Sequence, residues 1–212
     1  MNARRLEVGG RRSGKPAIAV VDYRAGNLNS VLKGLSAAGG DPFVTEDPDA
    51  LRAANAIVIP GVGNFAATSA ISGRMRDALT DAVAHARPLL GICLGLQFLF
   101  EGSDEAPAAR GLGLLRGRCY LLHGDVKVPH VGWNTLECQR PSPILAGVPP
   151  AAYVYYAHSY AAPVTAATVA STTYGSSFAG VVDDGRVFGV QCHPEKSGED
   201  GMRILRNFVA RC

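Results

Sequence analysis

Three short and almost wholly apolar runs constrain the fold of this chain more than any other sequence feature. They are AIAVVD (17–22), NAIVIPG (55–61) and PLLGIC (88–93). Helical patterns of apolar residues follow the first two runs, at 28–40 and 72–86. Strands that are apolar throughout, and not at alternate positions, are buried on both faces. Their alternation with helices predicts a parallel sheet that is covered by helices on both sides.

The second half of the chain has a different pattern. Its apolar runs are short and bounded by turns, and Asp184-Gly185 is a hairpin signal, so we expect antiparallel strands added to the parallel core. LGLQFLF (94–100) starts a further helix, and an amphipathic helix closes the chain at 201–212. The predicted fold is therefore one α/β domain over residues 17–212, with an open, mostly parallel sheet. The remaining predicted strands are 41–47, 117–122, 126–131, 134–138, 153–161, 167–175, 178–182 and 186–191.

The charge of the chain is concentrated at its N-terminus. The formal net charge is +3, and residues 1–16 alone carry +4, which leaves the body at −1. We interpret 1–16 as a disordered basic extension without the apolar core of a secretory signal. The body shows no charge pattern that favours nucleic acid.

The cysteines and the longest apolar run bear on the compartment. Five cysteines without a CxxC or framework spacing indicate reduced thiols and a cytoplasmic protein. The longest run, Pro88–Phe100, is about 13 residues and is too short to cross a bilayer, which takes ~20. No membrane segment, metal or cofactor is expected.

Cys93 lies between two glycines at the junction of a predicted strand and a predicted helix. The sequence Gly91-Ile92-Cys93-Leu94-Gly95 has the layout of a nucleophile elbow, in which only glycine fits beside the sharp turn. A helix N-terminus also favours the thiolate form. The alternative is a buried structural cysteine, a common role for this residue.

A catalytic thiol requires a base and a residue that orients the base. His193 and Glu195 in VQCHPEKS are two residues apart, so a strand would place both on one face. Pro194 keeps His193 out of the helical region. The alternative is an exposed turn with unrelated polar residues.

Two further features fit acyl transfer. The glycines of PGVGNF, Gly61 and Gly63, allow close backbone approach, and the N–H of Leu94 follows the nucleophile, so both are candidate oxyanion donors. The loop is equally consistent with an ordinary turn. Gln97 lies one helical turn after Cys93, where it fits either a substrate contact or a core hydrogen bond.

Together these motifs resemble the class I (triad-type) glutamine amidotransferases. PGVG, GICLGLQ and HPEKS carry the resemblance to the class. VDYRAGNLNSV, KVPHVGWN and YYAHSY narrow it to the glutaminase subunits of imidazole glycerol phosphate synthase, from Ala17 to the C-terminus. The resemblance implies a flavodoxin-like sheet and hydrolysis of glutamine to glutamate and ammonia.

The resemblance also implies roles for individual residues. Cys93 would be the nucleophile, His193 the base and Glu195 its orienting partner. The ammonia would pass to a cyclase subunit with a (β/α)8-barrel fold, which makes imidazole glycerol phosphate and AICAR ribonucleotide. The other implied positions are Gly61, Val62, Gly63 and Leu94 at the oxyanion, Gln97, Ser159 and Tyr160 at the glutamine, and Asn27, Trp133, Tyr155 and Lys196 at the cyclase interface.

Two departures and two rival functions stay open at this stage. Cys192 replaces an expected aromatic residue and could form a disulfide with Cys93, and Asn64 replaces a small residue. A stand-alone cysteine hydrolase of the γ-glutamyl hydrolase type would share the triad. The second rival is a scaffold that has lost catalysis, and the intact set of Cys93, His193 and Glu195 argues against it. Trp133 is either an interface anchor or a core aromatic residue.

Overall fold

The computed structural model describes residues 14–24, 28–71 and 73–212. The predicted N-terminal extension, 1–16, lies outside the described residues except for its last three, and so stays a prediction. The helices are α1 (Leu28–Ala37), α2 (Pro48–Ala53), α3 (Gly73–Ala84), α4 (Leu94–Leu99) and α5 (Gly198–Val209). The strands are β1 (Ala17–Val21), β2 (Asp41–Thr45), β3 (Ala56–Ile59), β4 (Leu89–Ile92), β5 (Gly102–Ser103), β6 (Arg118–Leu121), β7 (His130–Cys138), β8 (Ala151–His158), β9 (Tyr160–Ala161), β10 (Thr168–Tyr174), β11 (Ser176–Asp184) and β12 (Val187–Val190).

A nine-stranded sheet forms the centre of the fold. Its order is β2-β1-β3-β4-β12-β11-β10-β7-β8, and the first five strands are parallel. These five follow the flavodoxin-like order, second-first-third-fourth-fifth. The other four extend the sheet in antiparallel fashion. The predicted fold class is confirmed; β5, β6 and β9 form a separate small sheet.

Helices cover both faces of the parallel strands. In β1, Ile18 and Val20 join the core beneath α1 and α5, whereas Ala19 and Val21 join the core beneath α2, α3 and α4. Each of these four side chains is fully buried. The apolar runs at 17–22, 55–61 and 88–93 are therefore uninterrupted because both faces of each strand are covered.

Strand β12 corrects the sequence-based topology. We expected 186–191 to be an added antiparallel strand, but β12 pairs in parallel with β4, with Val190 opposite Ile92. It also forms the predicted hairpin with β11, whose turn contains Gly185 at φ +75°. Four consecutive buried residues in β12 are typical of a central strand. Consequently β12 ends beside the nucleophile elbow.

Other differences are local. The predicted strands 126–131 and 134–138 are one strand, β7, that begins after Pro129, which has no N–H to donate. The predicted strand 153–161 is interrupted at Ser159, where the chain leaves the large sheet for the small one. Helix α2 was not predicted, although Asp47 caps it and Pro48 occupies its first turn.

Glycines allow α4 to lie directly against the sheet. A Cβ atom on Gly95 would lie 1.8 Å from the carbonyl oxygen of Ile59 in β3, and one on Gly91 would lie 2.5 Å from the carbonyl oxygen of Gly95. Both distances are far below contact between real atoms. The two glycines of the elbow are therefore required by packing and not only by the turn.

The described residues contain neither a membrane-spanning helix nor a disulfide. No helix among the described residues is both long enough and apolar enough to span a membrane. All five cysteines are free, including Cys93 and Cys192, so the disulfide considered between these two is not formed in this structure.

Candidate active site

Cys93 occupies a strained turn between β4 and α4. Its φ and ψ angles are 52° and −106°, outside the conformations that a residue with a side chain ordinarily adopts. Its N–H donates to the carbonyl of Val190 in β12 at 2.8 Å. The predicted elbow is thus present, and the end of β12 holds it in place.

His193 and Glu195 form a buried pair just after β12. Nδ1 of His193 lies 2.9 Å from Oε1 of Glu195, and the two side chains are 2% and 3% exposed. The sequence predicted the pairing but not its cause, because Pro194–Lys196 is a turn of 3-10 helix and not a strand. His193 itself is extended, at φ −98° and ψ 92°, as expected before a proline.

The electrostatics of the site favour a charged imidazole. Burial acts to lower the pKa of His193, but hydrogen bonding and charge from Cys93 and Glu195 outweigh it and raise the pKa to about 10. Among the described residues, no group meets both the distance and the angle of a full hydrogen bond at Nε2 of His193, although the Cys93 thiol lies close enough to raise the pKa of the ring. Since Glu195 occupies Nδ1, Nε2 is the nitrogen available for proton exchange with Cys93.

A pocket of about 240 Å³ opens at the elbow. Gln97 in its wall donates from Nε2 to the carbonyl of Tyr160 at 2.6 Å, so its amide nitrogen has the core hydrogen bond that sequence analysis considered. The predicted Ser159 also lines this pocket, but Gly61 and Val62 do not. The lining residues are Gly63, Cys93, Leu94, Gln97, Glu105, Pro129, Val131, Ala157, His158, Ser159 and Tyr160.

The PGVG loop is fixed at both ends. At its start, the hydroxyl of Tyr23 donates to the carbonyl of Pro60 at 2.6 Å, and a Cβ on Gly61 would lie 2.1 Å from that hydroxyl. At its end, Asn64 caps a 3-10 helix by accepting from the N–H of Ala66 at 2.8 Å. The unusual Asn64 is thereby explained as a helix cap.

Two residues of the site were missed by sequence analysis. Glu105 lines the pocket, and its Oε2 accepts from the N–H of Phe65 at 2.7 Å, which ties the pocket wall to the PGVG loop. Gln191 donates to the sulfur of Cys93 at 3.6 Å. No local motif marks Glu105, whereas the position of Gln191 two residues before His193 was a usable signal.

The predicted interface residues form a cluster beside the site. Trp133 is 55% exposed, so the interpretation as a core aromatic is wrong. Its ring meets that of Tyr155 edge to face at 6.1 Å, and the Lys196 ammonium lies 5.8 Å from the same Tyr155 ring. Asn27 lies outside the described residues.

Comparison with known proteins agrees with this geometry. The model of the family "Glutamine amidotransferase class-I" matches residues 19–212. The imidazole glycerol phosphate synthase subunit HisH of Halobacterium salinarum is 51% identical over 205 residues, covering 92% of this chain and 94% of the relative. The HisH subunit of Natronomonas pharaonis is 47% identical over 204 residues, with coverage of 92% and 94%.

Solved structures support the fold separately. A chain of the PurLQS structure from Thermotoga maritima superposes with a TM-score of 0.73 at 20% identity, covering 92% of this chain and 98% of that one. At this identity the likeness concerns the fold alone, whereas the two relatives and the family model span nearly the whole chain. The protein therefore belongs to the class I glutamine amidotransferase family, in the group of imidazole glycerol phosphate synthase HisH subunits.

Proposed function

We propose that this chain is the glutaminase subunit of imidazole glycerol phosphate synthase in histidine biosynthesis. It hydrolyses glutamine to glutamate and ammonia and delivers the ammonia to a cyclase subunit. The observation that carries the proposal is the meeting of Cys93 with the buried His193–Glu195 pair at the pocket. The relatives are named as subunits of a synthase, and this supports assembly with a second chain.

The first half of the reaction forms a thioester. The thiolate of Cys93 attacks the side-chain amide carbon of glutamine. The N–H of Leu94 and the PGVG loop, of which Gly63 lines the pocket, stabilise the oxyanion. His193 then gives its proton to the departing nitrogen, the C–N bond breaks and ammonia leaves. The raised pKa of His193 supports this role because the ring holds a proton at neutral pH.

The second half releases glutamate. Water gives a proton to His193 and attacks the thioester carbon, and the C–S bond then breaks to regenerate the Cys93 thiolate. Glu195 keeps Nδ1 of His193 occupied throughout, so Nε2 carries every proton transfer. Gln97, Ser159 and Tyr160 are proposed to hold the substrate, and Glu105 adds a carboxylate suited to its α-ammonium group.

The partner is proposed to be a (β/α)8-barrel cyclase that docks on the face with Trp133, Tyr155 and Lys196. Exposed aromatic residues at a sheet surface favour a protein interface. A sealed interface suits ammonia transfer, because free ammonia becomes ammonium in neutral water. Residues 17–212 are proposed to act as one domain in the cytoplasm, and the nine-stranded sheet, which takes strands from both halves of the chain, supports the single domain.

Co-purification with the cyclase encoded in the same genome tests the proposal. Glutaminase activity is measured for the chain alone and for the complex, with the cyclase substrate present. We expect low turnover alone and high turnover in the complex. Full turnover by the isolated chain would instead favour a stand-alone γ-glutamyl hydrolase, and absence of turnover in both would favour a scaffold.

A further inference from the structure

We infer that His130 and His158 are positioning residues that hold the Tyr160 carbonyl against the Gln97 amide through one directed chain of hydrogen bonds. The inference rests on the proposed function, since it assigns a task to the wall of the glutamine pocket. This chain of hydrogen bonds starts at Asn134 in β7 and ends inside the pocket. At Gln97 it meets the catalytic cysteine through one further residue, because Nε2 of Gln97 lies 3.4 Å from Oε1 of Gln191, and Gln191 donates to the Cys93 sulfur.

The two rings lie opposite each other in neighbouring strands. His130 of β7 is in register with His158 of β8, and Nδ1 of His130 lies 3.2 Å from Nε2 of His158. Both residues are buried, at 3% and 6% exposure. The His130 ring is stacked between those of Tyr156 and Tyr174, with centroid distances of 4.9 and 4.0 Å. The rings therefore have little freedom to turn.

The pocket end sets the direction of the chain. Nδ1 of His158 lies 2.9 Å from the carbonyl oxygen of Tyr160, which can only accept, so this nitrogen carries a hydrogen. Burial lowers the pKa of His158 to about 3, and the ring is neutral. Its Nε2 is then an acceptor, and Nδ1 of His130 must donate to it.

The surface end agrees with the same direction. Burial lowers the pKa of His130 to about 4, so with a hydrogen on Nδ1 its Nε2 must accept. Nδ2 of Asn134 lies 3.3 Å away as the donor. The amide orientation of Asn134 is fixed independently, because Oδ1 accepts from the Thr135 N–H at 2.7 Å and Nδ2 donates to the Thr173 carbonyl at 3.1 Å. Only one arrangement of hydrogens satisfies the whole chain.

The arrangement links the docking strand to the substrate pocket. The Tyr160 carbonyl accepts from both His158 and Gln97, so the chain fixes the acceptor that holds the pocket amide. Asn134 directly follows Trp133 in β7. A neutral His158 also avoids a second positive charge near His193, which itself acts to lower the pKa of His158.

The first test observes the hydrogens directly and needs no activity. Long-range ¹⁵N–¹H spectra of the ¹⁵N-labelled full chain, recorded alone and with the cyclase, report the tautomer of each histidine ring. We expect His130 and His158 to be neutral with hydrogen on Nδ1 at neutral pH. A hydrogen on Nε2, or a protonated ring, at either position would overturn the inference.

The second test uses kinetics of the complex with the cyclase. His130→Phe keeps a stacked ring but removes the donor, and we expect the KM for glutamine to rise roughly three- to tenfold, as for one lost buried hydrogen bond. His130→Asn retains a donor at the Nδ1 position and should restore most of the loss. The control is His123→Phe, at an exposed ring, which should leave the KM for glutamine unchanged. Ammonium-dependent synthesis should be unchanged in all variants.

The outcomes separate this inference from the proposed function. Two results with an active complex overturn the inference alone. One is a KM for glutamine that His130→Phe leaves unchanged, and the other is a KM that rises equally with His130→Phe and His130→Asn. A wild-type complex that turns over no glutamine overturns the proposed function. Should His130→Phe fail to fold, the tautomer spectra of the wild-type chain still decide.

Discussion

The backbone N–H of His193 donates to the carbonyl of Tyr155 at 2.8 Å. The hydroxyl of Ser197 closes the bridge, because it accepts from the N–H of Tyr155 at 2.9 Å and donates to the carbonyl of His193 at 2.7 Å. The proposed base and a residue of the proposed docking face are therefore joined through backbone atoms. A partner that displaces Tyr155 acts directly on the segment that carries the base.

Replacement of Cys93 separates the two activities of the complex. We expect Cys93→Ala to reduce glutamine-dependent synthesis by about 10⁴-fold or more, because no other group can form the thioester. Synthesis from added ammonium should persist, since it does not use this thiol. Steady-state assays with each nitrogen source measure both. Loss of both activities in a folded complex would contradict the role of Cys93.

The ionisation of His193 should make the stability of the fold depend on pH. Its pKa is raised from 6.5 to about 10 in the folded chain, so folding favours the protonated ring. This stabilisation is fully present below pH 6.5 and is lost as the pH rises towards 10. Glu195→Gln should lower the pKa of His193 and move the loss to lower pH.

Two measurements check this prediction. NMR titration of the His193 ring C–H signals gives the pKa in wild type and in Glu195→Gln. Urea unfolding at a series of pH values gives the free energy of unfolding, with His85→Gln at an exposed ring as the control. A pKa of His193 near 6.5 in the wild-type chain would contradict the predicted rise of that pKa beside Cys93 and Glu195.

Trp133 should contribute to binding and not to folding. It is 55% exposed, so Trp133→Ala should change the free energy of unfolding by less than about 0.5 kcal/mol. We expect cyclase binding to weaken by about 2 kcal/mol, roughly thirtyfold in Kd. Calorimetry measures both quantities. Val44→Ala, on β2 at the opposite edge of the sheet, is the control and should leave the Kd unchanged.

The close contact between α4 and β3 should make Gly95 intolerant of any side chain. Gly95→Ala places a Cβ 1.8 Å from the Ile59 carbonyl oxygen, and we expect a loss of about 3 kcal/mol in the free energy of unfolding. Gly73→Ala, where a Cβ meets no atom within 4 Å, is the matched control and should be neutral or slightly stabilising. Urea unfolding compares them, and equal stability of the two variants would contradict the packing argument.

The sequence predicted what depends on local pattern. Continuous apolar runs identified β1, β3 and β4 because burial on both faces leaves no polar position. The glycines around Cys93 identified the elbow because the turn itself demands them. His193 and Glu195 were paired correctly, but the 3-10 turn that pairs them is not encoded in an alternating pattern.

Long-range relations were harder to predict. The sequence near Val187–Val190 contains no local signal that this strand pairs in parallel with β4. The pairing depends on where the whole hairpin packs. Glu105 was missed for the same reason, because its contact with Phe65 crosses 40 positions of sequence. Pro129 did carry a local signal, and the prediction of a strand across it was wrong.

The central position of β12 has a consequence for the chain as it is synthesised. Cys93 leaves the ribosome one hundred residues before His193, and β12 must enter between β4 and β11 before the two can meet. A nascent chain that ends at Arg186 contains the thiol but neither the base nor the strand that holds the elbow. Because such a chain lacks both the proposed base and the strand that holds the elbow, the site is completed only late in synthesis.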